Sequence, residues 1–298
     1  MNTAEMTAKF AAGQGFIAAL DQSGGSTPKA LAGYGVAPDA WSDDAGMYEL
    51  IHQMRSRIIR SPVFTGQKVL GAILFERTMD GMIDGVTVPA ALLAKGIVPL
   101  IKIDKGLEDE ANGVQLMKPM PDLDALLVRS KALGVYGTKE RSVINSADAA
   151  GIAAVIAQQF EIGRQVLSHG LMPILEPEVN IKSATRGDCD TLMRGEILAH
   201  LDTMDQPVML KLSLPVVPGT FDALVDHPKV LRVVALSGGY ERPEACAELA
   251  KNRGIIASFS RALLQDLRSG MTDDEFDAAL GSAIDEICAG SVVKTLSV

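Results

Sequence analysis

The sequence predicts an α/β fold, a single (β/α)8 TIM barrel spanning residues 1–298. Three observations carry that expectation. Apolar runs of strand length recur eight times, stretches with helical spacing lie between them, and no Gly-x-Gly-x-x-Gly or P-loop pattern announces an open doubly wound sheet. No Gly/Ser/Pro linker or low-complexity tract divides the chain, so one domain follows. The 298 residues exceed the ~250 typical of such barrels and leave room for one insertion.

The eight runs cover residues 15–20, 69–75, 98–103, 134–138, 171–175, 208–212, 230–236 and 255–259. Amphipathic spacing predicts helices over 47–60, 123–133, 147–168, 191–202 and 243–252, with a last helix over 273–288. Ser146 and Thr272 stand where N-caps are wanted, and Glu275 completes a capping box with Thr272.

Hydrophobic residues at 47% and charged residues at 22% are ordinary for a compact globular enzyme. The net charge of −9 argues against a nonspecific nucleic-acid or membrane surface, since both attract cationic patches. A small anionic ligand then needs a local cluster of Lys and Arg. Cys189, Cys246 and Cys288 fit no zinc or disulfide pattern and read as reduced packing thiols. Residues 1–10 carry charges and no long apolar run, so neither a signal peptide nor a membrane anchor is expected, and the cytoplasm is the default.

Barrel chemistry sits at the C-terminal ends of the strands, and here the apolar runs close on charge. Asp21 ends the first; Lys102 and Asp104 the third; Lys139 and Arg141 follow the fourth; Glu176 and Glu178 follow the fifth. Residues i and i+2 share a face of a strand, so three such pairs point inward together if the strands persist. Two accounts fit each pair, mutual neutralisation as buried ion pairs or catalysis. Lys211 is more telling because it interrupts the apolar run Val-Met-Leu-Lys-Leu-Ser-Leu, where an unpaired ammonium carries a desolvation cost of several kcal/mol. It is either a solvent-facing or paired lysine, or a nucleophile whose amine is freed by burial and neighbouring cations. An unperturbed lysine is only on the order of 0.04% neutral at pH 7.

Gly and Ser follow the strands at Asp21-Gln-Ser23-Gly-Gly-Ser26, at Leu-Ser237-Gly238-Gly and at Ser-Phe-Ser260-Arg261. Backbone amides approach a phosphate closely only where no side chain blocks them, so three such turns favour phosphate over ordinary tight turns.

Taken in order, the segments Gly-Phe-Ile-Ala-Ala-Leu-Asp21-Gln-Ser-Gly-Gly-Ser, Ile-Lys102-Ile-Asp104-Lys-Gly, Gly-Thr-Lys139-Glu-Arg141-Ser, Pro-Ile-Leu-Glu176-Pro-Glu178-Val, Met-Leu-Lys211-Leu, Leu-Ser237-Gly-Gly and Ala-Ser258-Phe-Ser-Arg261-Ala-Leu resemble class I fructose-bisphosphate aldolase, in particular its shorter bacterial branch. The resemblance implies reversible cleavage of fructose 1,6-bisphosphate through a Schiff base on Lys211, with no metal and no separate cofactor. It implies Glu176 as the proton shuttle helped by Lys139, Asp21 as the base at the C4 hydroxyl, and Glu178 and Lys102 as positioning groups. For phosphate it implies Ser237, Gly238, Ser260 and Arg261 at the C1 end, and Ser23, Ser26, Lys102 and Arg141 toward the C6 end, with Arg261 open to either. Homo-oligomers are common in the family.

Two departures stand out. Ser260 replaces the glycine that precedes the arginine elsewhere in the family, and the chain ends in Leu-Ser-Val298 rather than the tyrosine of the longer animal enzymes. Three other functional readings are weaker. A metal-dependent aldolase needs a zinc site, and His52, His169, His200 and His227 form no ligand cluster. A Schiff-base enzyme for an epimer such as tagatose 1,6-bisphosphate differs at one hydroxyl. A noncatalytic sugar-phosphate sensor has little need of a buried amine.

Overall fold

The computed structural model describes residues 1–295, so the expectation about the terminal Val298 lies outside the described residues. Eight strands form the barrel: β1 (Phe16–Leu20), β2 (Val69–Leu74), β3 (Val98–Lys102), β4 (Gly137–Ile144), β5 (Met172–Val179), β6 (Val208–Ser213), β7 (Val230–Leu236) and β8 (Ile256–Phe259). Each pairs in parallel with the next in sequence, and β8 returns to β1, with Ile17 opposite Ser258. The ring therefore leaves no main sheet edge open.

Alternation along the strands carries the apolar interior directly into the site. Ile17 and Ala19 on β1, Leu100 on β3, Ile174 on β5, Met209 on β6 and Ile256 on β8 pack together inside the ring. Two residues beyond them on the same faces stand Asp21, Lys102, Glu176, Lys211 and Ser258. The other face of each strand packs against the surrounding helices in a second, larger apolar cluster.

The opposite end of the barrel is closed by helix Thr3–Ala12, which starts at an Asn2–Glu5 capping box. Its Met6 and Phe10 join the interior cluster, and the Phe10 ring lies 5.4 Å from that of Tyr136. Gly71 makes this possible, because a Cβ there would stand 2.8 Å from the Phe10 ring. The extra length is distributed rather than held in one insertion: this helix, helix Ser26–Gly33, the hairpin Met82–Ile83 with Val86–Thr87, and Val114–Gln115 antiparallel to β4 share it. Among the described residues no helix is long and apolar enough to cross a membrane.

Element boundaries differ from expectation where charge replaced hydrophobicity. β4 and β5 run on to Ile144 and Val179, so Lys139, Arg141, Glu176 and Glu178 are strand residues rather than residues beyond the strands. The apolar pattern stopped early because these strands continue into a polar mouth. The helix expected from 191 begins at Arg186, and its polar first turn still buries Cys189 and Asp190. The long middle helix, Ala149–Ser168, is capped by Asp148, whose carboxylate accepts from the Gly151 N–H at 2.7 Å, and not by Ser146. Thr272 forms the expected capping box with Glu275.

Candidate active site

At the C-terminal ends of the strands the barrel opens into a cavity of about 740 Å³. Its lining includes Asp21, Ser23, Ser26, Lys102, Lys139, Arg141, Glu176, Glu178, Lys211, Ser237, Gly238, Ser260 and Arg261, so the residues expected to handle the sugar and its phosphates line one cavity.

Lys211 lies at the floor with 4% of its surface exposed, and its Nζ is 2.9 Å from Glu176 Oε1. The second Glu176 oxygen lies 3.0 Å from Lys139 Nζ, which also reaches Asp21 Oδ2 at 2.7 Å and Asp104 Oδ2 at 4.0 Å. Lys102 Nζ is 2.7 Å from Asp104 Oδ1, and nearer the opening Arg141 pairs with Glu178. Three ammonium groups thus interleave with three carboxylates, which offsets the desolvation that an isolated buried charge would suffer. Burial alone would raise the carboxyls of Asp21 and Glu176; the ammoniums of Lys139 and Lys211 outweigh it and hold both below the ordinary carboxylate range. Burial alone would lower Lys139, but Asp21, Glu176 and Asp104 hold it well above the usual lysine value. Lys139 therefore stays cationic across neutral pH, while Glu176 stays an acceptor between Lys139 and Lys211.

The turn after β7 has positive φ at Gly238 (62°) and Gly239 (115°), a backbone that side chains rarely adopt. A Cβ on Gly239 would lie 3.2 Å from the Arg261 guanidinium, so the bare glycine lets the arginine lie over the turn. In the turn after β1, Ser26 Oγ donates to Ser23 O at 2.8 Å and accepts from Ser23 N–H at 2.9 Å. Its hydroxyl proton is engaged within the turn.

Three residues that sequence reasoning left without a role support this mouth. Asp104, a strand-end charge in the sequence, is the counter-ion of Lys102. Gln22 donates through Nε2 to Ser260 Oγ at 2.6 Å, while its Oε1 faces Arg55 Nη2 at 3.3 Å. Arg55 is fully buried and also donates to Thr78 Oγ1 at 2.6 Å; burial lowers its guanidinium to about 10. The available signal was positional. Ile51, Met54, Ile58 and Ile59 define the buried face of helix Asp44–Arg60, and Arg55 sits on it.

Glu140, beside Lys139 on β4, points to the opposite side of the strand and is fully buried, with Oε2 accepting from Thr138 Oγ1 at 3.3 Å. Burial pushes its carboxyl well above the usual range. A group raised in the folded state contributes stability below its unfolded pKa of about 4.3 and loses it as pH rises. Glu140→Gln is therefore expected to raise Tm at pH 8 by about 2–4 °C over the parent and to converge with it near pH 4, by thermal unfolding at both pH values.

Comparison with known proteins gives a concordant result. The family model for fructose-bisphosphate aldolase class-I matches residues 3–198. A Porphyromonas gingivalis protein named fructose-bisphosphate aldolase class 1 is 51% identical over 279 residues, covering 93% of this chain and 95% of that protein. Among solved structures, the Plasmodium falciparum fructose-bisphosphate aldolase, in a ternary complex with TRAP and a small-molecule inhibitor, superposes with a TM-score of 0.78 at 18% identity. It covers 98% of this chain and 95% of its own, and at that identity it speaks to the barrel alone. With half its residues shared with a named aldolase along nearly its whole length, the chain belongs to the class I fructose-bisphosphate aldolases, the carbon–carbon lyases that work through a lysine Schiff base without a metal.

Proposed function

We propose that Lys211 is the Schiff-base lysine and that the cavity cleaves fructose 1,6-bisphosphate reversibly, in glycolysis and gluconeogenesis. The observation that carries the assignment is the 2.9 Å contact of Lys211 Nζ with Glu176 Oε1 at the buried floor of the cavity. Attack on the C2 carbonyl of the open-chain ketose needs an amine beside a proton acceptor, and loss of water from the carbinolamine needs the same group as a donor. Glu176 fills both roles, with the Lys139 ammonium against its other oxygen. The iminium withdraws electrons as Asp21 takes the C4 hydroxyl proton, the C3–C4 bond breaks, and glyceraldehyde 3-phosphate leaves. Protonation of the enamine at C3 and hydrolysis then release dihydroxyacetone phosphate. Lys102 and Glu178 surround the intermediates as positioning and electrostatic groups.

For the phosphates, the reading assigns Ser237, Gly238, Ser260 and Arg261 to the C1 end and Ser23, Ser26, Lys102 and Arg141 to the C6 end. The bare Gly238–Gly239 turn beneath Arg261 supports the first assignment. Charge-assisted bonds of this kind contribute about 1.5–3 kcal/mol. Arg261→Ala is accordingly expected to raise KM about 10- to 100-fold with kcat changed much less, measured by steady-state cleavage. Relative kcat/KM for the tagatose epimer measures how strictly the sugar hydroxyls are read. The protein is assigned to the cytoplasm, and self-association follows the habit of the family.

Borohydride reduction of the enzyme with dihydroxyacetone phosphate, followed by peptide mass spectrometry, tests the assignment. An adduct on the peptide containing Lys211 is the expected result; an adduct on another lysine sinks it.

A further inference from the structure

The layer behind β4 and β5 holds polar side chains that the proposed chemistry does not use. Thr138, Glu140 and Ser142 on β4 and Gln159 on helix Ala149–Ser168 are all fully buried. Strand alternation turns the first three away from the cavity, opposite to Lys139 and Arg141. Gln159 meets them from a helix face otherwise made of Ile152, Val155, Ile156, Phe160 and Gly163, where an apolar residue would pack with no polar group to satisfy.

The contacts of its amide are specific. Gln159 Oε1 accepts from the Glu176 backbone N–H at 3.1 Å. Its Nε2 donates to Ser142 Oγ at 2.7 Å and lies 3.5 Å from the Glu140 carbonyl oxygen. Outside the β4–β5 ladder, Met172 N–H donates to Tyr136 O and Asn180 N–H to Ile144 O. Counting inward by twos from either end assigns Glu140 O and Glu176 N–H to one rung. A single amide thus reaches both members of the rung that carries Glu176 and adjoins Lys139. A side-chain amide carries its donor and its acceptor on two separate atoms, so it can serve a carbonyl and an N–H side by side, whereas a hydroxyl holds both on one oxygen and a carboxylate only accepts.

We infer that Gln159 is a positioning residue for the reacting pair: its amide fixes β4 against β5 at the Glu140–Glu176 rung and so holds the Glu176 carboxylate between Lys211 and Lys139. The inference rests on the reading of Glu176 as the proton shuttle. A side chain projecting from a loosened rung swings away from the amine it serves, and a displacement of about 1 Å can cost on the order of 100-fold in rate.

Gln159→Met keeps the length and removes the donor and the acceptor. The expected result is a kcat about 10- to 100-fold lower with KM for fructose 1,6-bisphosphate within about twofold, and a matching fall in the rate at which a borohydride-trappable imine forms. A role in packing alone would lower Tm and leave kcat and trapping rate within about twofold of the parent, and that outcome overturns the inference. If Gln159→Met does not fold, Ser142→Ala, which removes one anchor of the amide, decides by the same readouts. Glu176→Gln measured in parallel separates the levels. Parent-like trapping in Glu176→Gln removes the proton-shuttle reading and this inference with it, whereas slow Glu176→Gln beside parent-like Gln159→Met removes only the inference.

Discussion

Lys211→Ala is expected to abolish cleavage, with kcat lowered at least about 10⁴-fold, and to eliminate borohydride-dependent labelling by dihydroxyacetone phosphate. The size follows from chemistry: without the amine no iminium forms, and nothing else in the proposed mechanism accepts the electrons of the breaking C3–C4 bond. The fold should survive, because Glu176 keeps Lys139 at 3.0 Å as a counter-ion. Lys211→Arg is the sharper control, since it retains a cation beside Glu176 while a guanidinium, never deprotonated in proteins, supplies no nucleophile. Near-normal cleavage by either variant rejects Lys211 as the Schiff-base residue. Steady-state kinetics and mass spectrometry of the reduced protein are sufficient measurements.

Lys139→Met is expected to damage stability as well as rate. Lys139 is 3% exposed and lies within 4.0 Å of Asp21, Asp104 and Glu176, so its loss leaves buried carboxylates under-compensated. Breaking a buried pair in this way costs about 3–5 kcal/mol, which for a chain of this size lowers Tm by on the order of 10 °C. The sign of its pH dependence is fixed by the carboxyls. Asp21 and Glu176 are depressed in the folded protein, so their contribution is present above the unfolded carboxylate range near pH 4 and lost as pH falls below it. The advantage of the parent over Lys139→Met should therefore shrink in acid. A variant Tm within about 2 °C of the parent at pH 7, by calorimetry, contradicts the electrostatic account of the cluster.

The barrel was legible because it rests on local pattern. Eight apolar runs separated by helical spacing define strands buried on both faces, and β6, β7 and the start of β1 lie within a residue or so of expectation. The boundaries failed at β4 and β5 because Lys139, Arg141, Glu176 and Glu178 are charges whose partners stand on other strands of the ring or just beyond them. A one-dimensional pattern ends a strand at a charge, whereas the folded barrel neutralises it and lets the strand continue. The helix face of Arg55 and that of Gln159 carried a weaker signal, a polar residue at a buried helical position, which by itself names no partner.

The sequence alone determined the architecture, the residue types that line the cavity, and the identity of the lysine beside which the chemistry is proposed, because each depends on periodicity and on the order of motifs along the chain. Only the tertiary structure decided which charges meet. Curling the sheet into a ring turns one face of every strand toward a shared axis, which brings Asp21, just past the first strand, to Lys139 of the fourth across the mouth and sets Glu176 of the fifth beside Lys211 of the adjacent sixth. Through-space distance sets both Coulomb energy and proton transfer, and sequence separation carries no information about either.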